Sequence, residues 1–152
     1  MQKITKKQAY PWLLLAVEQA KKSLSEGGIP IGSVLVRPNG EVIARGHNQR
    51  VQHNDPTAHA ETQCIRAAGR RRDWNELILV STLSPCAMCT GTSLLFQIPL
   101  VVIGENETFM GEEDWFEHKG TKLLNLDDEE CKSLMRDFIS KHPDLWNEDI
   151  GL

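Results

Sequence analysis

Apolar residues recur at helical spacing through Trp12, Leu13, Ala16, Val17, Ala20 and Leu24, and Gly27-Gly28 follows as a stop, so the chain opens on an amphipathic helix. The period then changes. Two β-prone runs, 31–37 and 41–44, flank the turn-forming Pro38-Asn39-Gly40 and predict a hairpin. Ala58 to Ala68 is a run of helix formers behind Asp55-Pro56-Thr57, whose polar side chains and proline suit a helix start, which places His59 and Glu61 in the first turn. Leu77 to Val80 reads as a short buried strand that delivers the chain to Ser84-Pro85, an N-cap and first helical residue, with Cys86 and Cys89 in the opening turn beyond. Leu100 to Ile103 and Lys122 to Leu126 predict two more strands. Asp127-Asp128 then caps a helix that turns Cys131, Leu134, Met135 and Phe138 inward. The alternation predicts an α/β fold: a three-layer α/β/α sandwich whose mixed sheet of about five strands carries helices on both faces.

Length adds that 152 residues suit one domain, taken here as 1–152, able to bury ~70% of its unfolded surface. With 40% hydrophobic and 25% charged residues, the composition is that of an ordinary globular protein. No apolar stretch approaches the ~20 residues of a membrane span, and Met1 to Lys7 lacks an apolar leader core, so no membrane partner and a cytoplasmic location are expected. Four cysteines without an export signal are better read as thiols or metal ligands than as disulfides. A net charge of −4 argues against a nucleic-acid partner, because such binding rests on neutralising phosphates. Arg70-Arg71-Arg72, the one dense basic cluster, is expected to be a solvated loop.

The candidate chemistry lies in His59-Ala60-Glu61 and Pro85-Cys86-Ala87-Met88-Cys89. Cysteines three apart at a helix start can face one ion, and the positive end of the helix dipole favours their thiolates. His59 brings an imidazole from a second helix start, so three ligands leave a tetrahedral zinc with one open position for water. A structural zinc would need a fourth protein ligand from Cys64, Cys131, His47, His53 or Glu61. Cys64 lies five residues past His59, roughly 140° around a regular helix, and is expected in the core. Glu61 poses a difficulty: an i,i+2 pair is separated by ~200° on a helix, so spacing alone does not bring its carboxylate to the metal site. Placed there, Glu61 would move protons between water, ring and departing amine.

These residues resemble the cytidine deaminase-like superfamily, in which His-x-Glu followed by Pro-Cys-x-x-Cys holds zinc for attack on a base. The chain is more closely similar to the small fungal-type cytosine deaminases. That resemblance runs nearly end to end, through Glu26-Gly27-Gly28-Ile29-Pro30-Ile31-Gly32, Arg45-Gly46-His47-Asn48, Thr82-Leu83-Ser84-Pro85-Cys86, Gly104-Glu105-Asn106 and Trp146-Asn147-Glu148-Asp149-Ile150-Gly151. It implies one Zn2+ per chain on His59, Cys86 and Cys89, with Glu61 as the proton carrier. It also implies that Asn48 and Asp149 orient the base, Asp149 at the amino group, under an apolar lid of Phe109 and Trp146. Ala60 stands where the fungal enzymes have glycine and would line the pocket with an added methyl. The implied activity is hydrolysis of a free nucleobase, cytosine to uracil and ammonia, in pyrimidine salvage, with the base and water as partners and a homodimer; the apolar Leu94, Leu95 and Phe96 suit part of an interface and a monomer core equally well. Truncation after Asn147 is expected to abolish turnover and to spare the metal.

Pro56-Thr57-Ala58-His59-Ala60-Glu61 is similar to the corresponding stretch of two rival enzyme groups, guanine deaminases and tRNA adenosine deaminases. The acidic balance disfavours the second. A rival of another class is a non-catalytic zinc-binding interaction module, in which Glu61 would be a bystander.

Overall fold

A computed structural model describes residues 1–152. In chain order the elements are α1 (Lys6–Ser25), β1 (Gly32–Val36), β2 (Val42–His47), α2 (Arg50–His53), α3 (Ala60–Ala68), a 3-10 turn (Trp74–Glu76), β3 (Ile78–Ser81), α4 (Ala87–Leu95), β4 (Leu100–Ile103), α5 (Glu113–His118), β5 (Lys122–Asn125), α6 (Glu129–Lys141) and α7 (Pro143–Asp149). The helix read from Trp12 starts earlier, because Thr5 and Gln8 form a reciprocal capping box at its head.

The sheet is mixed and five-stranded, as expected, and has the order β2-β1-β3-β4-β5. β1 pairs antiparallel with β2 and β3, whereas β3, β4 and β5 run parallel. Alternation along the strands divides the core between two faces. Val34, Val36, Ile78, Val80 and Val102 pack with Trp12, Leu13, Ala16 and Val17 of α1 and Cys131 of α6. Leu35, Leu79, Val101 and Ile103 pack on the opposite face with Cys64 and Ile65 of α3 and Phe116 of α5. A third cluster, Ile29, Ile31, Ala60, Leu83, Met135, Phe138 and Trp146, lies at one end of the sheet.

That end is where the carboxyl termini of β2, β3 and β4 and the amino terminus of β1 meet, as the pairing of Gly32 with His47 and of Ser81 with Ile103 requires. Open α/β sheets bind their ligands at this edge, in the crevice beyond the strand ends. The loops leaving it carry Asn48, Cys86 and Glu105. No helix is long and apolar enough to cross a membrane. Arg71 pairs with Asp73, which also holds Arg37 at 2.6 Å, so part of the basic cluster closes a surface ion network.

Candidate active site

Both helices that carry the sequence motifs start one or two residues later than the propensities suggest, and this solves the spacing problem. His59 is the N-cap of α3, with extended backbone at φ −75°, ψ 161°, so it and Glu61 do not share a regular helix. The ~200° separation no longer applies, and both residues face one cavity. Cys86 likewise is the extended N-cap of α4, at φ −69°, ψ 175°, with Cys89 in the first turn. Ser84-Pro85 therefore precedes the helix and does not cap it. The Ser84 hydroxyl instead donates to Glu113 Oε2 at 2.7 Å and accepts from the Gly111 N–H at 3.0 Å.

The ligand atoms of His59, Cys86 and Cys89 lie within 4.8 Å of one another, with His59 Nδ1 3.5 Å from Cys86 Sγ. Two sulfurs and one imidazole nitrogen at two helix starts are a donor set suited to zinc, and fit one ion with a position to spare. Neither Cys64 nor Cys131 joins them; both thiols are buried in the core, and burial pushes Cys64 up to about 12. The Cys86 thiol is held down to about 4, chiefly by its hydrogen bond with Cys89 and then by His59, so it is a thiolate at neutral pH.

His59 has its second nitrogen, Nε2, 3.3 Å from Asp149 Oδ1. A ring protonated on Nε2 donates there and keeps the Nδ1 lone pair toward the sulfurs, the arrangement that fixes the tautomer of a metal-binding histidine. Burial, the largest influence on the imidazole, opposes charge, but the Cys86 hydrogen bond and the charges of Asp149 and Glu61 raise His59 to about 9. Burial is also the main reason that Glu61 rises to about 7, with the Cys86 charge adding to it and His59 opposing.

Asn48 is wholly buried at the end of β2. Its Oδ1 accepts from the Arg50 N–H at 3.1 Å, the turn-capping contact that an asparagine makes without any ligand. Its Nδ2 donates to Asp149 Oδ1 at 3.1 Å. One side chain therefore serves the turn and the site together. Asp149, at the end of α7, has only 3% of its side chain exposed, and burial raises its carboxyl while His59 lowers it. The adjoining Glu148 pairs with Arg50 at 3.0 Å and helps hold α7 against α2.

The cavity and its mouth together hold about 290 Å3 of space, part of it open to solvent. It brings together Asn48, His59, Ala60, Glu61, Cys86, Phe109, Trp146 and Asp149, all but one of the residues singled out from sequence; Cys89 is buried behind the wall. Phe109 and Trp146 meet edge to face, with ring centres 5.7 Å apart. Ile31, Leu83, Ser84 and Ile150 also line it and had not been picked out. All four lie inside motifs already quoted for the family resemblance, so adjacency to the chosen residues was the signal for them.

The fold and this donor set define a zinc-binding deaminase domain. The family model for the cytidine and deoxycytidylate deaminase zinc-binding region matches residues 6–105, and the chain belongs to that family. The chain is similar to a cytosine deaminase of Candida albicans (strain SC5314 / ATCC MYA-2876), at 45% identity over 141 residues, covering 91% of this chain and 94% of that protein. It is also similar to a tRNA-specific adenosine deaminase of Streptococcus pyogenes serotype M18, at 39% identity over 114 residues, covering 72% of this chain and 71% of that protein. A solved structure from work on A-to-I editing by tRNA:A34 deaminases superposes with a TM-score of 0.73 at 29% identity, covering 82% of this chain and 99% of that one. The chain is a hydrolytic deaminase enzyme by these relationships.

Proposed function

We propose that the substrate is a free nucleobase, cytosine, converted to uracil and ammonia in pyrimidine salvage. The observation that carries this reading is one cavity in which a three-ligand metal set, a carboxyl outside that set and an Asn48–Asp149 pair converge. The 45% identity to a cytosine deaminase across 91% of the chain supports the choice of base.

In this reading His59, Cys86 and Cys89 hold one zinc per chain, and the bound ion supplies activation of a water molecule near neutral pH. Glu61 takes a proton from the attacking water and hands it to the ring nitrogen, then takes the proton of the newly added hydroxyl as the carbonyl forms and delivers it to the leaving amine. A carboxyl near 7 suits a group that must act as base and then as acid. Water adds to the amidine carbon, the C–N bond breaks, and ammonia leaves with the proton that Glu61 delivers. With its Oδ1 occupied by the Arg50 N–H and one N–H on Asp149, Asn48 offers its remaining N–H to the ring carbonyl. Asp149 accepts from the exocyclic amine. Ala60 forms the floor, while Phe109 and Trp146 cover the ring.

The chain acts as one domain over 1–152, in the cytoplasm, and pairs as a homodimer. Leu95 on α4 (73% exposed), Met110 in the loop before α5 (62%) and Trp115 on α5 (40%) are exposed apolar side chains that support the pairing. Of the interface residues suggested by sequence Leu95 is the most exposed; Leu94 and Phe96 are partly buried against the core, Phe96 stacking on Trp74 at 4.9 Å.

The test is ammonia release from cytosine, 5-methylcytosine, isocytosine, guanine, adenine, cytidine, adenosine and a tRNA anticodon stem. Cytosine as the best substrate is the expected result. Preference for guanine or for the tRNA would overturn the assignment, and metal binding with no turnover of any substrate would favour a binding module.

A further inference from the structure

Glu105 is a completely buried carboxylate just past the end of β4, and no basic side chain pairs with it. A charge taken from water needs compensation, and here every side-chain hydrogen bond comes from the next few residues. Oε2 accepts from the N–H groups of Glu107 at 2.7 Å and Thr108 at 2.9 Å, and Oε1 accepts from the Thr108 hydroxyl. The carboxylate is thus spent wholly on shaping the residues that lead into Phe109.

Beyond Phe109 a second carboxylate fastens the other end. Glu113 accepts from the Ser84 hydroxyl at 2.7 Å and from Asn106 Nδ2 at 3.3 Å, while Ser84 accepts from the Gly111 N–H at 3.0 Å. Gly111 lies so close to the metal-bearing loop that a Cβ on it would fall 1.7 Å from the Pro85 carbonyl oxygen, which excludes any side chain there. The span from Glu105 to Glu113 is therefore anchored at both ends, with its far end fastened to the segment that carries Cys86, and Phe109 sits at its middle against Trp146.

We propose that Glu105 and Glu113 are positioning residues for the base site: the two carboxylates set the course of this span and so hold Phe109 over the bound ring. Neither touches substrate, and both act through Phe109. A preset cover avoids part of the ordering entropy that a loose loop loses when it closes on a ligand. The inference rests on the reading of Phe109 as the cover of a base site.

Two variants spare the core, Glu113→Ala and Thr108→Val, and each is made alone and with Phe109→Ala. For the base the enzyme deaminates, each is expected to raise KM roughly tenfold, the loss typical of a charge-assisted hydrogen bond, with kcat and zinc per chain unchanged. In the Phe109→Ala background the same changes should raise KM by less than about twofold, because a cover already missing cannot be displaced. Hydrogen exchange at the amides of Glu107, Thr108 and Gly111 should accelerate in both variants, a readout that needs no substrate. Equal effects with and without Phe109, or unchanged exchange, would overturn the proposal. Failure of the substrate assignment would appear separately, as no turnover of any base by the parent protein.

Discussion

The floor and the roof of the cavity are built in opposite ways. The floor comes from residues 59–89, two helix starts on neighbouring loops, where His59 and Cys86 are N-caps whose extended backbones aim their side chains across the gap. The roof comes from distant segments, Phe109 past β4 and Trp146 and Asp149 in α7, brought over the site by tertiary packing. Local sequence therefore determines where His59 and Cys86 point, while the lining contributed by Phe109, Trp146 and Asp149 depends on whether the chain's later part docks. Asp149 joins the two, touching His59 below and Asn48 beside it.

The sharpest separation of floor from roof is Glu61→Ala, which should lower turnover by roughly 10²–10⁴-fold with full zinc content by elemental assay. A variant that loses its metal along with its activity would place Glu61 among the ligands. Asp149→Ala should lower zinc affinity by roughly 10- to 100-fold in a chelator competition, because the His59 ring loses the partner that orients it. The same contact revises the expectation for truncation after Asn147, which removes Asp149 and should loosen the metal as well as stop the reaction. The effect of pH is graded and acts on the floor alone. Without metal His59 is raised to about 9, and the Cys89 thiol is pushed up by its hydrogen bond with Cys86 and by burial, so two protons compete with the ion and zinc affinity should fall by roughly ten- to a hundredfold for each unit from pH 9 toward 6. Cys86, held down to about 4, adds nothing to that slope until much lower pH. A metal affinity independent of pH over this range would refute the ligand assignments to His59 and Cys89.

The same division explains what could be read from the letters. Strand and helix periods placed β4 at Leu100–Ile103 and the capped helix α6, whose Asp128 accepts from the Cys131 N–H as a capping aspartate does. The three ligands follow from residue type and spacing. Helix starts were misplaced because propensity favours continuing a helix back through Ala58 and Pro85, whereas the fold bends the chain there to present His59 and Cys86. Two short helices, α2 and α5, carry no periodic signal of their own. Asp149 has no local feature distinguishing it from a solvated acid. Its burial arises from the packing of Trp146 with Ile31, Leu83 and Phe138, and that packing is set by the whole molecule.

On the proposed chemistry the Asp149 carboxylate also tells substrate from product. Before hydrolysis it would meet an N–H of the base; afterwards the same ring position would bear an oxygen with lone pairs only. An attraction becomes a repulsion inside a pocket that water barely reaches, where Asp149 is 3% exposed and such contacts count most. On the proposed chemistry, the group that admits the amine ejects the carbonyl, and uracil should dissociate faster than cytosine from the same closed pocket.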